Sequence, residues 1–362
     1  MEFQPALSPN GELVAFCWDR ESQDSVDIYI KQIASGVLSH LTDDAARDIS
    51  PAWSPDGRLV AFRRLLPGTT QIIVKSYLGG PERKLAEWPS QNAGHPRGLE
   101  PTRDLCFSPD GKWLVATAGS VPPDPVGLLV VSMETGETAK LTSPTGEYVA
   151  DSGPALSPDG HTLAFTRGTM LNAPQSHSSI AEIYIMAVSG QHPAGVPKQI
   201  TFDNRIASNP VWTPDGRSII FSSNRNDNET TRHLWRVVVS GAREAAKSPG
   251  PEFLAGLGDY SHDPAISGDG HRLAYTQATH DLNIWEIHLP DHSGKSADAA
   301  RLISSTRDDL LPDFSPDGTK IAFGSDRSGH HEIWVCERDG SNPVQLTSDV
   351  GSLTTDPHWS PD

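Results

Sequence analysis

Acidic side chains recur at one position of the sequence, three residues ahead of a proline or its equivalent. The residues at this position are Glu2, Asp48, Thr102, Asp151, Ala207, Ser261 and Asp309. Four acids in seven would form an electronegative ring if the chain folds around an axis, and such a ring attracts a cation or a basic peptide. The alternative is that each carboxylate hydrogen-bonds the turn that opens its own strand. The sequence predicts a binding role for Glu2, Asp48, Asp151 and Asp309 at a channel mouth and leaves this alternative open.

Two further side chains are candidates for the same site. Asp313 stands where the other repeats carry a small or apolar residue, so its carboxylate either faces a solvated channel or supplies a ligand. His262 precedes Asp263 near the start of a repeat, and imidazole is a common metal ligand. The adjacent pair His330-His331 is a poorer candidate, because neighbouring side chains on a strand point to opposite faces.

Motifs of the common hydrolases and nucleotide-binding enzymes are absent from the sequence. There is no Gly-x-Ser-x-Gly elbow, no Gly-x-x-x-x-Gly-Lys-Ser/Thr loop and no His-Glu-x-x-His pair. Cys17, Cys106 and Cys336 lie far apart in apolar runs, which indicates small buried side chains rather than a disulfide framework or a zinc site. We therefore predict no catalytic residue, no metal and no cofactor.

The charge balance argues against a nucleic-acid partner. The chain carries 46 acidic and 29 basic residues, a formal net charge of −17, and it has no run of interleaved basic and aromatic residues. No window is apolar enough to predict a transmembrane helix, and the first residues do not have the pattern of a signal peptide. The sequence alone does not assign a compartment.

One recurring tetrapeptide sets the elements that would position these side chains. Its copies are Ser8-Pro9-Asn10-Gly11, Ser54-Pro55-Asp56-Gly57, Ser108-Pro109-Asp110-Gly111, Ser157-Pro158-Asp159-Gly160, Thr213-Pro214-Asp215-Gly216, Ser267-Gly268-Asp269-Gly270, Ser315-Pro316-Asp317-Gly318 and the partial Ser360-Pro361-Asp362. Proline presets φ, Ser and Asp bond the local backbone, and glycine accepts a positive φ, so each copy predicts a tight hairpin turn. Short apolar segments flank every turn and complete four strands per period of 45 to 56 residues.

Four antiparallel strands in such a period are typical of a propeller blade, which is stable only when it stacks on similar blades. We predict an all-β fold, a seven-bladed β-propeller of four-stranded antiparallel blades that forms a single domain over residues 1–362. The predicted blades are 1–47, 48–101, 102–150, 151–206, 207–260, 261–308 and 309–353, with 354–362 as the first strand of a further repeat.

The pattern Pro-x-Trp-Ser-Pro-Asp-Gly, followed by Ala-Phe, by Glu-Ile-Trp or Asp-Ile-Tyr, and by Leu-Thr, resembles the WD40-like PD40 repeat of TolB-type propellers. The resemblance covers essentially the whole chain. TolB itself resembles a six-bladed ring behind an extra domain, whereas this sequence has seven repeats and no segment that resembles that domain. Segments 3–9, 79–85 and 325–329 further resemble propellers attached to bacterial serine/threonine kinases and winged-helix regulators. This second resemblance implies a sensor, extracytoplasmic where it belongs to a membrane-anchored protein.

The longest connections of the sequence predict the recognition surface. They are 88–103, 119–126, 167–179 and 222–232, all expected on the face opposite the uniform turns. We predict a monomeric, non-catalytic binding or sensor module with a protein or peptide ligand on this face, within a larger signalling or regulatory protein. The alternatives are a metal-dependent propeller enzyme similar to oligogalacturonate lyases, with His262 as candidate ligand, the gating propeller of a peptidase, and a passive assembly platform.

Overall fold

The computed structural model describes most of the chain. The described residues are 1–19, 25–90, 103–118, 125–170, 179–225, 232–239, 250–258, 260–278, 282–287, 299–329, 331–348 and 356–361. All of the regular secondary structure assigned within these residues is β-strand. In this part of the chain no helix has the length and apolarity that crossing a bilayer requires.

Repeats 1, 2, 3 and 5 each form one four-stranded sheet. Their strands are β1 (Glu2–Leu7), β2 (Leu13–Trp18), β3 (Asp27–Gln32) and β4 (Leu38–His40); β5 (Arg47–Trp53), β6 (Leu59–Leu66), β7 (Thr69–Ser76) and β8 (Arg83–Pro89); β9 (Leu105–Phe107), β10 (Trp113–Thr117), β11 (Leu128–Ser132) and β12 (Thr138–Lys140); and β18 (Ala207–Trp212), β19 (Ser218–Ser223), β20 (His233–Val238) and β21 (Glu252–Phe253). Within each sheet the strands pair antiparallel in sequence order.

The other repeats vary this plan. Their strands are β13 (Tyr148–Leu156), β14 (Thr162–Met170), β15 (Ser179–Ser189), β16 (His192–Pro193) and β17 (Lys198–Gln199) in repeat 4; β22 (Ser261–Ile266), β23 (Leu273–Gln277), β24 (Ile284–Glu286) and β25 (Ala300–Ile303) in repeat 6; and β26 (Asp309–Phe314), β27 (Lys320–Ser325), β28 (Glu332–Glu337) and β29 (Val344–Gln345) in repeat 7. Repeat 4 adds a fifth strand, and repeat 6 consists of two two-stranded sheets. The predicted all-β class and the four-stranded antiparallel sheet are confirmed.

The recurring tetrapeptide folds as its residue types require. In repeat 3 the Ser108 hydroxyl donates to Asp110 Oδ1 at 2.6 Å, and the Trp113 N–H donates to Ser108 Oγ at 3.1 Å. Gly111 closes the turn with φ near 69° and donates its N–H to Ser108 O. The bond between the first and third side chains recurs in all seven complete turns. It lowers the pKa of the turn carboxylate, as in Asp110.

The Leu-Thr pair at the end of a repeat ties the fourth strand to the third. In repeat 4 the Ile183 N–H donates to Thr201 Oγ1 at 2.9 Å, and the Thr201 hydroxyl bonds the carboxylate of Glu182. The same backbone-to-threonine bond occurs in repeats 1, 3 and 7. The recurring acid of the third strand and the threonine therefore have a structural role wherever these bonds form.

The described residues form two compact units, one within 1–277 and one within 278–361, and each is described by itself. In the first unit the first strands of six repeats follow one another in a closed cycle. Consecutive pairs in contact are β1 with β5, β5 with β9, β9 with β13, β13 with β18, β18 with β22, and β22 with β1. The alternating apolar faces of these sheets pack against each other, with Phe62, Phe165 and Phe221 fully buried.

The turns of the first unit close the same cycle. Each turn glycine lies against the second residue of the preceding turn or next to it: Gly57 on Pro9, Gly111 on Pro55, Gly160 on Pro109, Gly216 on Pro158, Gly270 on Pro214, and Gly11 on Ser267. At the last junction the Gly268 N–H donates to Pro9 O at 2.9 Å. The ring in the first unit therefore closes after six repeats, and the predicted count of seven blades is not confirmed. Repeat counting alone does not determine ring size, because ring size depends on which strand faces β1 and the repeat pattern does not encode that choice.

The second unit contains β24 to β29 and residues 356–361. Ile284, Ile303, Ile321, Phe323 and Cys336 form its apolar core. The Trp359 indole N–H donates to Asp313 O at 3.0 Å, which repeats the bond from Trp53 Nε1 to Ala6 O in the first unit. Residues 356–361 thus stack on repeat 7 as the predicted first strand of a further repeat would. The predicted single domain and its blade boundaries stay predictions.

Candidate binding site in the channel of the first unit

Three of the predicted site carboxylates are held by basic or hydroxyl side chains of their own repeats. Asp48 is fully buried, and its two oxygens accept from Arg64 Nε and Nη2, both at 2.8 Å. Asp151 is paired in the same way by Arg167, at 2.7 and 2.8 Å. In each case the arginine lies directly opposite the acid on the second strand. The charge partner of each acid is thus an arginine of the neighbouring strand in the same repeat.

The electrostatics of these pairs are those of structural ion pairs. Burial raises the pKa of Asp48 to about 6 against the opposing effect of Arg64, and the carboxylate raises the pKa of Arg64. The guanidinium of Arg167 also lies 5.3 Å from the ring centre of Phe165. Asp48 and Asp151 therefore already have charge partners. That they bind a ligand stays a prediction.

Asp309, Asp313 and Glu2 have different surroundings. Asp309, in the second unit, accepts from Ser325 Oγ at 2.6 Å and from Arg327 Nη2 at 2.5 Å. Asp313 is half-buried, and its Oδ2 accepts the Trp359 N–H at 3.0 Å. Glu2 is exposed at the beginning of β1. The ligand roles predicted for these three acids remain predictions.

His262 is buried beside an acid. Its side chain is 3% exposed, and Nδ1 lies 3.2 Å from Asp263 Oδ2. Across the residues that the structure describes, no group of three or more His, Cys, Asp and Glu side chains is placed to hold a metal ion. The metal-dependent alternative centred on His262 stays a hypothesis.

The channel of the first unit is lined instead by the residue directly before each proline. Gln4, Ser50, Gly153, Asn209 and Asp263 all have φ between 51° and 59°, and each lies at a bulge in the first strand of its repeat. A bulge turns one side chain out of the alternation of the strand. Asp104 holds the corresponding place in repeat 3, where leucine replaces the proline. These six residues form what we call the polar ring.

Hydrogen bonds link neighbouring members of the polar ring. The Ser50 N–H donates to Gln4 Oε1 at 2.8 Å, and the Asp104 N–H donates to Ser50 Oγ at 3.3 Å. Asn209 Nδ2 donates to Asp263 Oδ1 at 2.5 Å. Asp104 is also paired with the buried guanidinium of Arg63. These bonds join Gln4, Ser50 and Asp104 in one chain and Asn209 and Asp263 in a pair, and satisfied polar networks of this kind favour a single rigid arrangement.

Arg103 enters this layer from repeat 3. Its backbone N–H donates to Asn209 Oδ1 at 3.0 Å in repeat 5, and its Nη1 donates to Pro264 O at 2.6 Å in repeat 6. Repeat 3 has repeats 2 and 4 as its neighbours in the cycle. Contacts to repeats 5 and 6 therefore carry Arg103 across the channel.

Four hydroxyl groups beside the polar ring have no hydrogen-bond partner among the described residues. They belong to Thr166, Ser208, Ser222 and Thr276, each at most 9% exposed. A β-carbon added to Gly153 would lie 3.4 Å from both Thr166 Oγ1 and Asn209 Oδ1, so this part of the wall borders the ring. Buried hydroxyls normally find a partner in protein or water. These groups therefore give the channel wall unused hydrogen-bonding capacity.

Sequence reasoning missed the polar ring because it looked three residues ahead of the proline rather than one. The proline itself was the usable signal, since it constrains the preceding backbone and limits that position to certain conformations. Arg103 carried no such signal. Most of the predicted recognition loops, 88–103, 119–126, 167–179 and 222–232, lie outside the described residues.

Four-stranded antiparallel sheets whose first strands surround a channel define a β-propeller. The chain belongs to the TolB β-propeller family, whose model, PD40, described as the TolB beta propeller domain, matches residues 106–362.

Similar proteins share this module over part of their length. The Tol-Pal system protein TolB of Francisella tularensis is 27% identical over 261 residues, covering 70% of this chain and 53% of that protein. The uncharacterized peptidase YuxL of Bacillus subtilis is 33% identical over 187 residues, covering 50% of this chain and 24% of that protein. A puromycin-hydrolyzing peptidase of Mycobacterium tuberculosis has a TM-score of 0.50 at 17% identity, covering 98% of this chain and 53% of that one, which is a likeness of fold. The chain spans between a quarter and about half of the length of the curated relatives named here.

Proposed function

We propose that the chain is a non-catalytic binding propeller that recognises a protein or peptide through the channel of the first unit. The observation that carries the proposal is the channel wall, where the hydroxyls of Thr166, Ser208, Ser222 and Thr276 are buried and have no hydrogen-bond partner among the described residues. A concave surface with a few convergent polar groups is the usual form of a ligand site. The Tol-Pal system name of one relative agrees with a role among protein partners.

The proposal extends to a sensor or recognition part of a larger signalling or regulatory protein. Its support is that the chain corresponds to only part of each relative's length. Under this proposal the buried ion pairs Asp48–Arg64 and Asp151–Arg167 hold the blades together, and the polar ring does the recognition.

The test is to select peptides that bind the 362-residue chain from a random library and then to measure binding to a channel variant. Ser222→Leu places an apolar group at the channel wall and removes a hydroxyl that has no hydrogen-bond partner in the described part of the chain. We expect at least a tenfold loss of affinity, because the leucine occupies ligand space and leaves the ligand's polar group unpaired.

The matched control is Thr138→Leu, which makes a similar change on the exposed strand β12. Thermal melting of both variants shows whether the fold is kept. Selected peptides that bind Ser222→Leu and the unaltered chain equally well would contradict recognition through the channel.

A second candidate function is the propeller of a peptidase. The match to YuxL favours this function, because that relative is named as an uncharacterized peptidase. In this role the channel would admit peptides to a catalytic domain outside these 362 residues. The measurement is peptide hydrolysis by a protein that contains this propeller, where Ser222→Leu should slow hydrolysis of long peptides more than of dipeptides.

A further inference from the structure

Arg103 contacts residues on the opposite side of the channel, where a ligand would bind under the proposed function. It crosses the channel of the first unit and donates Nη1 to Pro264 O at 2.6 Å. The neighbouring acceptors are Asn209 Oδ1, which takes the Arg103 backbone N–H, and the carboxylate of Asp263. The charge of Asp263 stabilises the positive charge of Arg103. The guanidinium of Arg103 therefore lies against the carbonyl oxygen of Pro264, and the negative charge of Asp263 acts on it.

Among the described residues, the guanidinium of Arg103 is held by fewer hydrogen bonds than those of Arg64 and Arg167. Arg64 and Arg167 each form two hydrogen bonds to one carboxylate. To the residues that the structure describes, Arg103 donates one side-chain hydrogen bond, to a neutral carbonyl, and a guanidinium has five N–H donors. Burial lowers the pKa of Arg103, so its charge is removed from water without full replacement of the lost hydration. A cation held in this way is the easiest of the three to displace.

Contacts other than those to Arg103 also hold the two acceptors. Asp263 Oδ1 accepts from Asn209 Nδ2, and Oδ2 lies 3.2 Å from His262 Nδ1. Pro264 O belongs to the backbone of β22, whose position is fixed by pairing with β23. These contacts fix both acceptors in place, which lowers the cost of binding a new cation.

We propose that Pro264 O and the Asp263 carboxylate form a receptor for a guanidinium or ammonium group, which Arg103 occupies in the free chain and a basic side chain of the peptide partner occupies in the complex. This inference rests on the proposed function and names the ligand chemistry of the same channel, an Arg- or Lys-containing peptide. Arg103 then competes with the ligand, and the free energy needed to displace Arg103 lowers the affinity of the chain for the ligand.

The test is whether a small arginine analogue binds at the position that the Arg103 side chain leaves empty when it is replaced by alanine. Isothermal titration of the Arg103→Ala chain with N-acetyl-arginine amide should show binding at least tenfold tighter than to the unaltered chain. N-acetyl-glutamine amide, which lacks the charge, should bind neither. Adding Asp263→Asn to Arg103→Ala should weaken binding of the arginine analogue at least tenfold.

Arg58→Ala is the matched control, because Arg58 is an exposed arginine of a turn in the same unit. It should bind the analogue no better than the unaltered chain. If Arg103→Ala does not fold, Arg103→Gln serves the same purpose while keeping a hydrogen-bond donor. Equal binding of the analogue by the variant and the unaltered chain, or equal binding of the neutral analogue, would overturn the receptor.

Peptide affinities separate this inference from the proposed function. Peptides selected on the unaltered chain should be rich in Arg or Lys and should bind Arg103→Ala more tightly. Two results would overturn the basic-group receptor: the selected peptides are acidic, or they bind Arg103→Ala more weakly than the unaltered chain. If those peptides still bind Ser222→Leu more weakly than the unaltered chain, recognition through the channel is nevertheless supported.

Discussion

Gly268 stands where other complete turns have proline, and it lies at the junction that closes the six-repeat ring. Its N–H donates to Pro9 O at 2.9 Å, and a side-chain carbon added at this position would lie 2.8 Å from the same oxygen. Restoring the consensus with Gly268→Pro removes the hydrogen bond, worth about 1 kcal/mol, and adds a clash worth about 1–3 kcal/mol. The stiffer unfolded chain returns about 0.4–1 kcal/mol. We expect the variant to lose about 2 kcal/mol of unfolding free energy.

The assay is urea unfolding followed by tryptophan fluorescence, with Gly268→Ala and Pro158→Gly as comparisons. Gly268→Ala keeps the N–H and adds only the crowded carbon, so its loss should be smaller than that of Gly268→Pro. Pro158→Gly makes the reverse change inside the ring, where no backbone bond of this kind is at stake, and should cost about 1 kcal/mol or less. A Gly268→Pro chain as stable as the unaltered one would refute closure through this bond.

Three further predictions concern local bonds. Because burial raises the pKa of Asp48 to about 6, its folded form takes up a proton before the unfolded form does, so the unaltered chain should gain about 2 kcal/mol over Asp48→Asn between pH 7.5 and 4.5 in paired urea titrations. Ser315→Ala removes the first cause of the low pKa of Asp317, about 2, so NMR titration should show that pKa rising toward 3.8. Thr201→Val leaves the Ile183 N–H buried without its acceptor and should lower the unfolding free energy by about 1–3 kcal/mol in urea, whereas Thr135→Val on an exposed turn should not.

The sequence predicted the elements because each is written in local chemistry. Ser108, Asp110 and Gly111 specify a turn whatever surrounds them, and alternating apolar residues specify the strands on either side. The Leu-Thr pair was located correctly from its recurrence, although its role as an acceptor for a backbone N–H became clear only from the bond between Ile183 and Thr201.

The order of packing between repeats could not be predicted in this way. Whether β22 faces β1 or another repeat depends on the angle between successive blades, which is a property of many side chains together. One local departure, Gly268, did mark the junction. It is recognisable only when the position of Pro9 opposite it is known.

The candidate site was predicted only in part for a similar reason. Asp48 and Asp151 were chosen for their charge, but the arginines opposite them on the second strands neutralise that charge in ion pairs. The polar ring depends on bulges, which expose the side chain before each proline. Arg103 reaches its acceptors across the channel, over sequence separations of 106 and 161 residues that no local pattern encodes.

The closed cycle of the first unit has one joint unlike the other five. Repeats 1 and 6 each form sheets from their own consecutive strands, and among the described residues they share no strand. The other five joints connect repeats that follow each other in the sequence, whereas this joint connects the first repeat to the sixth. Closure of the cycle at this joint therefore depends on noncovalent contacts of β1 with β22 and β23 and on the hydrogen bond from the Gly268 N–H to Pro9 O. At the other five joints, chain continuity adds to the contacts between sheets.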